Sequence, residues 1–267
     1  MAPRREELIF DIGLHTGEDT AFYLAKGFRV VAVEASPTLA AVAEKKFQES
    51  VDAGRLVVVN AAIAAEPGPV AFYANATTEW GTIRSDWADR NARLGSASTE
   101  VMTVEGAMFS SIVEKYGVPY YMKIDIEGAD MLCLEGLTPP EVPKYVSIES
   151  DKVSWKSLER EFEVLTGLGY RRFKVVPQHR MGRQKPPNPP REGRYVDYAF
   201  HHMSSGMFGE EAPGRWMSAN QAMLLYRYLF LRYRLYGDGG RFRDTTTGRL
   251  LWSVMRGPGW YDTHAAL

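Results

Sequence analysis

The sequence predicts an α/β protein: a doubly wound, mostly parallel sheet with a last antiparallel strand, an inserted β-hairpin and a C-terminal helical appendage. Three observations predict it. Apolar runs at residues 8–12, 29–34 and 56–60 alternate with helical patterns at about 18–27 and 37–53, the βαβαβ order of a parallel sheet. A glycine turn, Gly13-Leu14-His15-Thr16-Gly17, joins the first run to the first helix. Acidic residues end the later runs, at Asp125 and Glu149, where open sheets of this kind bind ligands.

Right-handed crossovers place the first helices on both faces. Pro69 to Asn75 and Thr99 to Val104 have strand character and read as the hairpin. The polar stretch between them, with Trp80, Arg84, Asp86, Trp87 and Arg90, is a loop long enough to suggest function. A helix over about Glu105 to Tyr116 precedes a strand from Pro119 to Asp125; the next helix opens at Gly128 and is closed by Gly136, Pro139 and Pro140. Tyr145 to Glu149 is a fifth parallel strand, Ser154 to Thr166 a helix and Arg171 to Val176 a sixth strand. Pro177 to Arg194 is rich in proline and basic residues, the composition of a solvated linker. If it leaves a parallel strand it starts on the ligand side, where it would cover a substrate or draw an anionic one. Tyr195 to His202 alternates and reads as the last, antiparallel strand. Residues 1–203 then form one domain. Residues 204–267 are an appendage packed on or capping it, with an aromatic helix over Gln221 to Tyr236 as a candidate homo-oligomer contact.

With 267 residues, 45% of them hydrophobic, the chain can bury one sizeable core. A net charge of −1 gives no overall attraction for nucleic acid or an anionic membrane. The single cysteine, Cys133, leaves neither a disulfide framework nor a zinc cluster available. No apolar run reaches the length of a membrane span, and Met1 to Glu7 lacks the apolar core of a signal peptide. The expected setting is cytoplasmic.

The glycine turn discriminates between nucleosides. A dinucleotide site wants G-x-G-x-x-G, because its middle glycine lets the backbone approach a pyrophosphate. Here that position is His15, which obstructs a pyrophosphate but leaves room for S-adenosylmethionine (SAM), a nucleoside without phosphate. Glu34, about 20 residues on, is placed to accept hydrogen bonds from both ribose hydroxyls. A glycine pair alone would equally serve close strand-to-helix packing. The carboxylate at the end of an apolar strand tips the balance, since burying it is costly unless something bonds it.

Asp125, Glu127 and Glu149 converge on one sheet edge and are the catalytic candidates. A single acid there would merely cap a helix, a reading that fits Glu127 best. An alcohol acceptor must lose its proton, and an ordinary carboxylate is a weak base. Burial would raise its pKa; alternatively Asp125 and Glu149 would hold a divalent metal, magnesium being suited to oxygen ligands. His201, His202 and His264 are alternative bases with no motif around them.

From Leu8 to Glu149 the chain resembles the FkbM family of SAM-dependent methyltransferases. The likeness lies in IFDIGLHTGEDTAFYLAKGFRVVAVEASP and in the more specific YMKIDIEGADMLCLEG, with the hairpin between them. The resemblance implies a class I methyltransferase (Rossmann-like) fold and O-methylation of a sugar, glycosylated metabolite or other natural-product hydroxyl. Carried over by position, Asp11, Gly13, His15 and Gly17 would line the methionine portion of SAM, Glu34 the ribose, and Asn60 and Ala61 the adenine. Asp125 would face the methyl group, and Thr20 and Ala35 complete the cofactor set. Leu14-His15 stands where the family commonly has Ala-Asn, and Glu105-Gly106 where it has Asp-Asp. Two other readings stay open: a nucleotide-dependent oxidoreductase, disfavoured by His15, and a SAM-binding interaction module without catalysis.

Overall fold

Strand β1 (Arg5–Ile12) buries all of its last five residues, as a parallel strand covered on both faces must. The same apolar continuity makes β2 (Arg29–Glu34), β3 (Leu56–Asn60), β7 (Pro119–Ile124) and β8 (Tyr145–Glu149), all paired in parallel with β1 or with one another. The computed structural model describes residues 5–75, 80–93, 95–96, 98–150, 154–201, 203–236, 241–242, 245–246, 250 and 260–267. With β9 (Arg172–Pro177) and β10 (Tyr261–Ala266) the strands form a seven-stranded sheet of order β3-β2-β1-β7-β8-β10-β9, in which only β10 runs antiparallel. This is the doubly wound, mostly parallel, Rossmann-like class I arrangement expected.

Helices α1 (Glu18–Ala25), α2 (Pro37–Lys46) and α3 (Gln48–Asp52) follow the first two strands, the long helix expected at 37–53 being broken at Phe47. β4 (Ala62–Ile63), β5 (Gly68–Asn75) and β6 (Ser98–Ala107) make a separate three-stranded sheet, with β5 and β6 as the antiparallel hairpin. Its loop carries a helix that the sequence reading had as irregular, α4 (Ser85–Arg93). β6 runs on to Ala107, so α5 (Phe109–Tyr116) starts later than expected, and α6 (Asp130–Glu135) starts two residues after Gly128. Helix α7 (Trp155–Gly167) packs its buried Leu158, Phe162 and Leu165 into the core on one sheet face. There α8 (Ala219–Tyr236) adds Ala222, Tyr226 and Leu229, leaving Leu224, Tyr228 and Leu231 exposed.

The last antiparallel strand is the main correction. It is not Tyr195 to His202, of which His202 lies outside the described residues, but Tyr261–Ala266 at the extreme C-terminus. Residues 195–200 belong to no strand of the described residues. Their alternation comes from packing on α1, where Tyr198 and Phe200 lie 5.0 and 4.7 Å from Phe22, ring centre to ring centre. The C-terminal stretch thus inserts between β8 and the edge strand β9.

The basic loop is fastened rather than free. Lys26 at the end of α1 forms a fully buried ion pair with Glu211 at 2.8 Å, and Glu211 also accepts from the backbone N–H of Arg191 and Glu192. The Arg194 side chain donates to the Ala25 carbonyl at 2.7 Å. These contacts fasten residues 191–194 and Glu211 beside α1.

Candidate functional site

The carboxyl ends of β1, β2, β7 and β8 open on a cleft of about 260 Å³. Its floor is the glycine turn. Gly13 has a positive φ of 89°, and a Cβ there would lie 1.8 Å from the Asp125 carbonyl oxygen, so only glycine lets β1 and β7 approach this closely. His15 also adopts a left-handed φ of 49°. Its backbone N–H donates to Glu34 at 2.8 Å, as does that of Ser36, so both carboxylate oxygens of Glu34 are held across the turn. Burial raises the pKa of Glu34 despite those bonds.

Of the candidates read from sequence, Gly13, His15, Glu34, Ala35, Ala61, Asp125, Glu127 and Glu149 line the cleft. Asp11, Gly17, Thr20 and Asn60 stand behind the lining. Thr20 donates to Asp11 at 2.6 Å in the interior, Gly17 caps α1 in a left-handed conformation, and Asn60 donates to the Glu34 and Ala35 carbonyls. These four shape the wall instead of presenting atoms to the cavity.

The hub of the wall is Lys123. Its Nζ donates to the Gly13 carbonyl at 2.8 Å and lies 3.5, 3.6 and 3.9 Å from carboxylate oxygens of Asp11, Asp125 and Asp19. Burial alone would lower the Lys123 pKa, but the three aspartates outweigh it and raise it. Burial lifts Asp11 too, and lifts Asp19 to about 7 against the pull of Lys123.

Asp125, Glu127 and Glu149 each bring a carboxylate oxygen within 4.8 Å of the others. Glu127 sits at a left-handed φ of 49°, a conformation that needs support from its neighbours. The hairpin insertion supplies it: Thr82 donates to the Glu127 carbonyl at 2.8 Å, Arg84 to that of Gly128 at 3.1 Å, and Trp87 packs over Gly128. Asp130 binds the N–H groups of Ile126 and Gly128 from below, both at 3.0 Å. Burial, then Glu149, Asp125 and Asp130, push the Glu127 carboxyl up to about 9.

A stability experiment follows from that shift. A carboxyl raised from its ordinary range to about 9 binds its proton more tightly when folded, so its contribution is full below the ordinary range and is lost as pH rises towards 9. Between pH 5 and pH 9 the ligand-free protein is expected to lose ~1–2 kcal/mol that Glu127→Gln does not lose, after allowance for solvent screening. Urea titrations at the two pH values check it; parallel losses in both proteins would mean the carboxyl is not so perturbed.

Trp80, from the loop whose length suggests function, lines the cleft; Thr82 beside it, Gln178 and Ser204 from the segments after β9, Trp260 just before β10 and Asp262 within it do so without any signal in the sequence. Nothing in the run from Trp260 to Ala265 announces a strand. Of the three alternative bases, His264 is buried within β10 and held neutral by burial and Lys174, its pKa pushed down to about 3. His201 is exposed outside the cleft lining. Arg180, Arg183 and Lys185 are likewise exposed outside it; of the basic loop only Gln178 lines the cleft.

Comparisons with known proteins bear on the same region. A SAM dependent methyltransferase from Archaeoglobus fulgidus is similar at 10% identity over 98% of this chain and 86% of that chain, with a TM-score of 0.41. An O-methyltransferase from Bacillus cereus, in complex with SAH, is similar at 14% identity over 64% of this chain and 67% of that one, with a TM-score of 0.35. No curated protein matches the chain. The methyltransferase FkbM domain matches residues 11–172, from the glycine turn to the start of β9. That span takes in the turn, Glu34, the insertion and the three convergent carboxylates, and by it the chain belongs to the FkbM methyltransferase family.

Proposed function

We propose that the protein is a SAM-dependent O-methyltransferase acting on a hydroxyl of a sugar or natural-product-like small molecule. One observation carries the reading: Glu34 and the Gly13–His15 turn face the same cleft as the Asp125, Glu127 and Glu149 carboxylates. The cleft is suited to SAM. Glu34 is fixed by two backbone N–H groups and keeps lone pairs for ribose hydroxyls, while His15 occupies the place where a pyrophosphate would need bare backbone. When bound, SAM supplies an electrophilic methyl group. The residues of this chain orient the acceptor oxygen in line with it, which accounts for much of the rate in such transfers, and a carboxylate of the cluster takes the hydroxyl proton. Asp125, its carboxylate 43% exposed in the cleft, is the candidate for that role. The cluster's all-oxygen donor set also fits a divalent cation such as Mg²⁺, which Asp125 and Glu149 would hold and which would acidify the alcohol. The exposed face of α8 is the surface on which the expected self-association would occur. Among the described residues no helix is long and apolar enough to cross a membrane.

Glu34→Ala should weaken SAM binding by roughly 1.5–3 kcal/mol, the range for a hydrogen bond to a charged group. Calorimetry on a variant of unchanged melting behaviour checks this, and wild-type affinity would remove Glu34 from the cofactor site. Methylated product detected by mass spectrometry over a panel of hydroxylated acceptors tests the activity itself.

A further inference from the structure

Among the described residues the cleft lining carries seven carboxylates against one lysine. That lysine, Lys123, is already engaged by Asp11, Asp19 and Asp125. SAM brings only one net positive charge, so with it bound the acidic groups of the lining still outnumber the cations, although burial keeps Glu127 and Asp19 protonated over part of the pH range. An anionic acceptor would be repelled there and a cationic one drawn in.

The excess lies on one side, away from Glu34. Asp262 on β10 stands opposite Glu149 on β8 in the antiparallel register. It is only 7% exposed, and no hydrogen bond to its carboxylate is made among the described residues. Burial, then Glu149 and Asp125, raise its pKa well above the ordinary range, so its charged form is costly unless a cationic ligand meets it. A second, independent sign of a missing ligand lies in the same wall. Ser204 lines the cleft, is 4% exposed, and among the described residues its hydroxyl has no hydrogen-bond partner; the Gln178 amide nitrogen is likewise buried without one. Trp80 and Trp260 add aromatic faces to the lining. Such faces stack on the C–H surface of a sugar ring and attract cations; a bare metal ion has no use for them. Gln178, Ser204, Trp260 and Asp262 all lie beyond residue 172, outside the stretch that matches the family domain.

We infer that Asp262 and Glu149 form an ammonium-binding subsite, so that the acceptor is an amine-bearing hydroxy compound of the amino-sugar class. Gln178 and Ser204 hydrogen-bond its hydroxyls, and Trp260 covers its ring. The inference rests on the SAM-dependent reading above and names the acceptor class for that site.

The test uses the full chain saturated with S-adenosylhomocysteine, and titrates D-glucosamine, N-acetyl-D-glucosamine and D-glucuronate, observed by ligand NMR. D-glucosamine is expected to bind at least roughly tenfold tighter than the other two, the scale of a charge-assisted hydrogen bond. Asp262→Asn, which keeps the side-chain shape, and separately Glu149→Gln should shrink that preference, and added salt should weaken it in the wild type. Equal or reversed affinities, no binding of D-glucosamine, or a preference untouched by both substitutions would overturn the inference. So would saturation of the cluster by Mg²⁺ alone without competition from D-glucosamine. If S-adenosylhomocysteine itself does not bind, the underlying reading fails and this falls with it; if it binds and no amine preference appears, only the subsite is wrong.

Discussion

Lys123→Met is expected to destabilise the folded protein by about 3–5 kcal/mol at neutral pH, as removal of one partner from a buried ion pair does. The side chain is 6% exposed and lies within 4 Å of carboxylate oxygens on Asp11, Asp19 and Asp125. Methionine fills the channel left by the aliphatic stem but supplies no charge, leaving Asp11 and Asp19 buried beside one another. Both already have raised pKa values, so they take up protons readily once the cation is gone. The deficit should therefore narrow towards pH 5, where protonation removes the uncompensated charges. Urea unfolding of wild type and variant at pH 7 and pH 5 measures it. A loss below about 1 kcal/mol at pH 7, the value of an exposed pair, would show that water already screens the hub.

Asp125→Asn is expected to lower turnover by about 10²- to 10⁴-fold, the usual contribution of a general acid or base, with little change in SAM affinity. Its carboxylate is 43% exposed to the cleft and stands 3.6 Å from Lys123, so the change removes a charge at the mouth of the site without opening the core. Single-turnover rates beside calorimetric SAM titrations separate the two effects. Equal losses in both would make Asp125 a cofactor-pocket residue and move the proton-accepting role to Glu127 or Glu149.

Much of the fold was legible because parallel strands buried on both faces must be nearly continuous apolar runs. Val30 to Val33 and Tyr120 to Ile124 are such runs, and their carboxyl ends locate the cleft. The same logic placed Glu34 and Asp125 at its edge. Gly13 was legible as well, for a glycine after a strand marks a close approach whose partner, the Asp125 carbonyl, only the fold reveals.

The limit lay where burial comes from long-range pairing. Tyr261–Ala266 has neither an apolar run nor a β-branched majority, yet it fills the gap between β8 and β9. Its Thr263 finds its partners far away in the chain, in the hydroxyls of Ser150 and Tyr226. Residues 195–200 show the converse, an alternating pattern set by packing on a helix. The sequence by itself determined the parallel sheet, the glycine turn and the three convergent carboxylates, because each depends on residues near in sequence or at strand ends. Only the tertiary structure decided that Lys123 binds three aspartates, that the insertion props up Glu127, and that Asp262, Gln178 and Ser204 complete the cleft. Those contacts join segments far apart in the chain, Lys123 with Asp11 and Asp262 with Glu149 among them, and no local pattern of polarity encodes which distant partner will neutralise a buried charge.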